Sequence, residues 1–160
     1  MFSLRKKRVA SNVLADVLVS EFIMNKNENA RFNLENWKPS VAFENKVVCY
    51  KLALVLLALL AAEQKDSRFE KVKTNLEKSV FSPHIVDGMP FFIQVKSAMD
   101  NLSELLTIRD NPAQWMLWAS RWLEDAGINE TNPVVTFRFA LMWTDNYVTI
   151  AGSLKEFKPQ

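Results

Sequence analysis

Cys49 and His84 are the only cysteine and the only histidine in the chain, so any thiolate–imidazole nucleophile would have to be built from these two. Such a dyad works only when the two side chains share a hydrogen bond. Nothing in the sequence brings them together. Cys49 opens the most apolar segment, and His84 sits in a proline-flanked connection. Asp100 and Glu104 are four residues apart, a spacing that puts two carboxylates on one helical face, where they could meet a cation; a solvated helix surface accounts for them more simply. The chain carries no phosphate-binding glycine loop, dinucleotide fingerprint, HExxH or paired CxxC pattern. The expectation is therefore a protein without chemistry of its own, with no cofactor and no metal.

Two other groups of residues are better placed to bind than to react. Trp115, Trp118 and Trp122 recur at i, i+3 and i+7, which lines three indoles along one helical stripe, and Arg121 stands beside the last of them. Tryptophan and arginine dominate the energetics of protein interfaces, so Trp115, Trp118, Arg121 and Trp122 form a candidate partner-binding surface; the simpler alternative is a stripe packed in the core. The second group is the basic run Arg5, Lys6, Lys7, Arg8, which leads into an amphipathic segment. That arrangement suits an anionic membrane surface, or, with less support, nucleic-acid phosphates. The alternative here is a flexible, solvated N-terminus.

The elements that must position these residues are mostly helical. Ala10, Val13, Leu14, Val17, Leu18 and Phe22 have helical spacing between about Val9 and Met24. The Asn-rich stretch from Asn25 to Pro39 reads as a loop anchored by Phe32, Leu34 and Trp37. A second helix runs from near Phe43 to about Ala62 and contains the unbroken apolar run Leu52–Ala62. Even extended back to Val47, that run rises only about 24 Å as a helix, less than the ~30 Å hydrocarbon layer, which favours a buried core helix over a membrane span. Ser67 and Glu70 have capping-box spacing ahead of a helix faced by Phe69, Val72, Leu76 and Val80.

Residues 82–90, with two prolines and a glycine, break the chain, and a helix through Phe92, Val95, Met99, Leu102 and Leu106 follows. Asn111, Pro112 and Gln114 mark the start of the Trp-bearing helix, and Gly127 marks its end. After Val134 the period changes. Phe137, Phe139, Leu141 and Trp143 alternate with Thr136, Arg138, Ala140 and Met142, which favours a strand that turns at Thr144–Asn146 and returns over Tyr147–Ala151. A helix capped by Asn132 and Pro133 is the competing reading.

The expected fold is thus mainly α: one domain over residues 1–160, a compact bundle of about five helices with a C-terminal β-hairpin, or α+β if the hairpin recruits further strands. At 160 residues, with 49% hydrophobic and 24% charged residues, the chain has the composition of an ordinary globular domain. Residues 1–81 carry 14 basic and 9 acidic side chains, and residues 82–154 carry 4 and 8, so the halves are electrically unlike. The basic N-terminus is followed by Asn12, Asp16 and Glu21 and does not read as a secretion signal. A lone cysteine then fits a reduced, cytoplasmic protein. The functional expectation is an interaction or assembly module that binds a protein partner or itself, most simply as a homodimer. Attachment to an anionic membrane surface is the first alternative and nonspecific nucleic-acid binding the second.

Overall fold

A computed structural model of the chain describes residues 6–24, 40–81, 88–108 and 111–160. Among them are two short strands and six α-helices, in the order β1 (Lys7–Val9), α1 (Ser11–Leu18), α2 (Val41–Glu63), α3 (Phe69–Val80), α4 (Gly88–Thr107), α5 (Pro112–Asp125), α6 (Pro133–Leu154) and β2 (Phe157–Pro159). The fold is mainly α with a minor β part. The Asn25–Pro39 loop with its anchors Phe32, Leu34 and Trp37, residue Arg5, and His84 lie outside the described residues.

Helix α2 is the axis of the bundle. Ser40 caps it by accepting the Phe43 N–H at 3.1 Å, and α3, α4 and α6 all pack around it. Leu52, Ala53, Val55 and Leu59 are wholly buried, as expected of a helix that is apolar on every side. Among the described residues α2 is the one helix long and apolar enough to cross a membrane, and over half of its apolar window is buried by its neighbours. This is the central core helix that its length implied.

Helix α1 turns Leu14, Ala15 and Leu18 into the core and continues as a π-helical turn over Val19–Ile23. It packs on α3 and, through that turn, on α2. The capping box ahead of α3 does not form. Asp66 takes its place: Oδ1 accepts the Arg68 N–H at 3.2 Å, and both carboxylate oxygens accept from the Arg68 guanidinium. Helix α4 buries Val95, Ala98, Leu102 and Leu105, which leaves Phe92 half exposed rather than in the core.

Helix α5 follows the sequence closely. Asn111 Oδ1 accepts the Gln114 N–H at 3.2 Å, and Pro112 occupies the first turn. Gly127, at φ +76°, reverses the chain so that the Gly127 and Ile128 N–H groups reach the Glu124 and Leu123 carbonyls at 2.9 and 2.8 Å. This is the Schellman arrangement, and it uses a left-handed position that favours glycine.

The C-terminal hairpin is corrected: residues 133–154 form one helix, which makes six helices rather than about five. Asn132 Oδ1 caps it from the Val134 N–H at 2.9 Å. Its buried face is Thr136, Phe139, Ala140, Trp143, Ile150 and Leu154, a spacing of threes and fours rather than twos. Strand propensity is weak and depends on neighbouring strands. A lone hairpin would have none to pair with, whereas a helix satisfies its own backbone and stacks Phe139 and Trp143 one turn apart against α2 and α5. Thr136, Thr144 and Thr149 donate their hydroxyls to carbonyls three or four residues back, as β-branched hydroxyl residues do inside helices.

The two strands join the ends of the described chain. β1 and β2 run parallel, with Lys7 opposite Phe157, Arg8 opposite Lys158 and Val9 opposite Pro159. The Lys7 N–H donates to the Glu156 carbonyl at 2.8 Å, and the Ser11 hydroxyl donates to the Gln160 carbonyl at 2.8 Å. Lys7 and Arg8 are therefore held in a strand, which corrects the expectation of a flexible basic N-terminus for these two residues.

Candidate protein-binding groove

The tryptophan stripe divides between core and surface. Trp122 is 2% exposed and sits at the centre of an aromatic cluster: Phe43 and Tyr50 from α2 lie 5.7 and 5.2 Å away between ring centroids, and Phe139 and Trp143 from α6 lie 4.8 and 6.0 Å away. Lys46 spans the cluster's edge. Its ammonium lies 4.5 Å from the Trp122 ring centroid, donates to the Trp122 carbonyl at 2.9 Å and stands 3.7 Å from the Asp125 carboxylate. Burial lowers the Lys46 pKa, and the nearby Asp125 opposes that shift. Tyr50 is pushed well above the ordinary tyrosine value, first by burial and then by Asp125. Trp122 is thus a core residue, which removes it from the candidate partner-binding surface.

Trp118 is 5% exposed, and its indole N–H donates to the Asn101 carbonyl at 3.1 Å. Trp115 is half-buried, stacks on Phe137 at 5.6 Å, and donates to the Ile108 carbonyl at 3.3 Å. These two indoles tie α5 to α4 and to the residue that follows it, yet the two helices do not pack closely on each other. α4 packs on α2, and α5 packs on α6. Between them is an open groove of about 320 Å³, with Glu104, Thr107 and Ile108 on the α4 wall and Leu117, Trp118 and Arg121 on the α5 wall. Leu117 is 51% exposed, and Arg121 and Glu104 are both exposed. Of the four candidate residues, Arg121 and the edge of Trp118 reach this surface.

Among the described residues the reactive groups do not converge. Cys49 is buried, its thiol faces the Gln94 side-chain oxygen at 3.6 Å, and burial pushes its pKa up to about 11, so it stays protonated near neutrality. Asp100 and Glu104 are exposed, and no group of three or more potential metal ligands occurs among the described residues. Lys6, Lys7 and Arg8 are all exposed, and the strand register sets Arg8 beside Lys158.

Sequence reasoning missed a second apolar depression, lined by Leu60 of α2, Phe81 after α3, and Phe92 and Met99 of α4. Phe81 and Phe92 meet at 5.5 Å, and Phe92 remains 49% exposed. Phe92 is three residues before Val95 and so fits the same apolar stripe; only the rotation of α4 against α2 shows which edge of that stripe faces outward. Comparison of the chain with protein-family models, curated proteins and solved structures finds no match.

Proposed function

We propose that this chain is an assembly module without catalytic chemistry, and that it binds protein through the groove between α4 and α5, most simply to associate with itself. The observation that carries this reading is the groove itself: an exposed leucine over a tryptophan floor, with opposite charges on the two walls. Helices that part in this way offer a channel of mixed polar and apolar character to a partner's side chains. The acidic and basic walls then favour a partner of matching charge pattern. Cytoplasmic residence goes with this reading, because a protonated, unpaired cysteine suits a reducing compartment.

The reading predicts a mass that rises with concentration. In sedimentation equilibrium from low micromolar to near-millimolar protein, the chain should pass from monomer to dimer, and Leu117→Asp should move the transition to at least about tenfold higher concentration by placing a charge in the contact. A wild-type chain that stays monomeric across the range would end this proposal.

A second reading, attachment to an anionic lipid surface, is favoured by one observation. The parallel strands hold Arg8 and Lys158 side by side, about 5 Å apart between backbones, a like-charge pair that is unfavourable until an anion shares it. Lys6, Lys7 and Lys155 add exposed positive charge on the same segments. Co-sedimentation with phosphatidylserine-containing vesicles but not with pure phosphatidylcholine is expected, and Arg8→Glu with Lys158→Glu should abolish it. Equal binding to both vesicle types would dismiss the idea, and salt-steep binding to duplex DNA without vesicle binding would transfer the site to nucleic acid.

A further inference from the structure

We infer that the occupant of the α4–α5 groove is the same groove on a second copy of the chain, docked about a two-fold axis so that Arg121 of each copy meets Glu104 of the other. This rests on the assembly reading above and names its partner and geometry. The two indole hydrogen bonds, from Trp115 to Ile108 just past α4 and from Trp118 to Asn101 within it, bring α5 back toward the C-terminal half of α4. The groove carries a positive point, Arg121, and the exposed Leu117 on its α5 wall, and a negative point, Glu104, on its α4 wall.

An isologous contact requires a surface complementary to itself, with every contact made twice. A two-fold rotation about an axis near Leu117 brings the α5 wall of one copy over the α4 wall of the other and satisfies both charges at once. A groove for an unrelated basic or acidic partner would be lined by one sign of charge. Neither Arg121 nor Glu104 has an ion-pair partner among the described residues, so both are free to pair across the axis. Leu117 supplies the apolar contact, against Ile108 and the edge of Trp118 in the facing groove. The Phe81–Phe92 depression is also rimmed by both signs of charge, Lys73, Lys96 and Glu77, but Lys73 is already paired with Glu63 and lies in the field of Glu77.

The test is a charge swap on the full chain, read by sedimentation velocity. Arg121→Glu alone places two acidic residues opposite each other at both contacts, and Glu104→Arg alone places two basic ones. Each should weaken dimerisation by about tenfold or more. Mixing the two variants in equal amounts should restore it as a heterodimer, because each acidic groove then faces a basic one; the double variant should restore it as a homodimer. All these positions are exposed, so far-UV circular dichroism should stay at its wild-type value, as should the melting temperature measured at concentrations where every form is monomeric. If the wild type dimerises but the single variants dimerise equally well, or mixing restores nothing, the two-fold pairing is wrong while self-association stands. If the wild type never dimerises, the assembly reading and this inference both fall.

Discussion

Replacing Trp122 by alanine is expected to destabilise the fold by about 3–5 kcal/mol, the range for truncating a buried tryptophan. Four aromatic rings, from Phe43, Tyr50, Phe139 and Trp143, surround the 2%-exposed indole, so the void cannot close by the shift of one flexible neighbour. Lys46 loses its aromatic face as well, although it keeps the backbone carbonyl of residue 122. In urea the midpoint should fall with little change in slope, and thermal unfolding should shift down by roughly 10 °C for a chain of this size. Trp122→Phe should recover most of the loss because it keeps a ring in the cluster. Trp115→Ala should do much less harm, since that indole is half-buried at the end of α5 and has one stacking partner, Phe137. An equal loss at the two positions would contradict the division of the stripe into core and surface.

Asp145→Pro should be nearly as damaging, for a backbone reason. Asp145 is exposed and lies in the middle of α6, so the substitution removes no buried side chain. Proline deletes the N–H that bonds the Leu141 carbonyl, and its ring collides with that carbonyl; together these cost about 3 kcal/mol or more inside a helix. Asp145→Ala separates the two effects, because it keeps the N–H and should stabilise by about 0.5 kcal/mol through helix propensity. Were residues 144–146 the turn of a hairpin, proline at 145 would break no helical hydrogen bond and meet no carbonyl four residues back, so its cost would be confined to the local turn geometry. Chemical denaturation of the two variants decides between these structures, and a loss below about 1 kcal/mol for Asp145→Pro would restore the hairpin.

How far the sequence could be read depended on whether its signals were local. Asn111, Pro112 and Gly127 act on backbone groups within a few residues, and the ends of α5 lie where those residues put them. The Ser67 capping box failed on an equally local contest, in which the Asp66 carboxylate met the arginine two residues on. Within α6 the two periods overlap, since Phe139 and Trp143 satisfy both an alternating and a helical pattern. The arbiter was distant. Tyr50 and Trp122, remote in sequence, offer a concave aromatic surface that one helical face fills and a flat, unpaired hairpin does not.

The binding surface shows the same limit. The stripe Trp115, Trp118, Trp122 and its neighbour Arg121 were visible from spacing, but which of them faces solvent depends on how α5 rolls against α2 and α6. That roll buries Trp122, leaves the edge of Trp118 as a groove floor and turns Leu117 and Arg121 outward. Glu104 could be noticed in sequence only as half of a carboxylate pair with Asp100; its place in one groove with Arg121 follows from how the chain returns after α4. Likewise, nothing near Arg8 announces Lys158, because the strand pairing that joins them spans almost the whole chain.

By itself the sequence determined the helical character, the buried course of α2, the bounds of α5 and the scarcity of reactive side chains, because propensity, capping and composition act over a few residues. Tertiary structure alone decided that residues 133–154 are a helix, that the two ends of the chain pair, and that a charged groove opens between α4 and α5. Those outcomes are set by contacts between segments far apart in the chain, where packing free energy outweighs the small local preferences that a sequence displays.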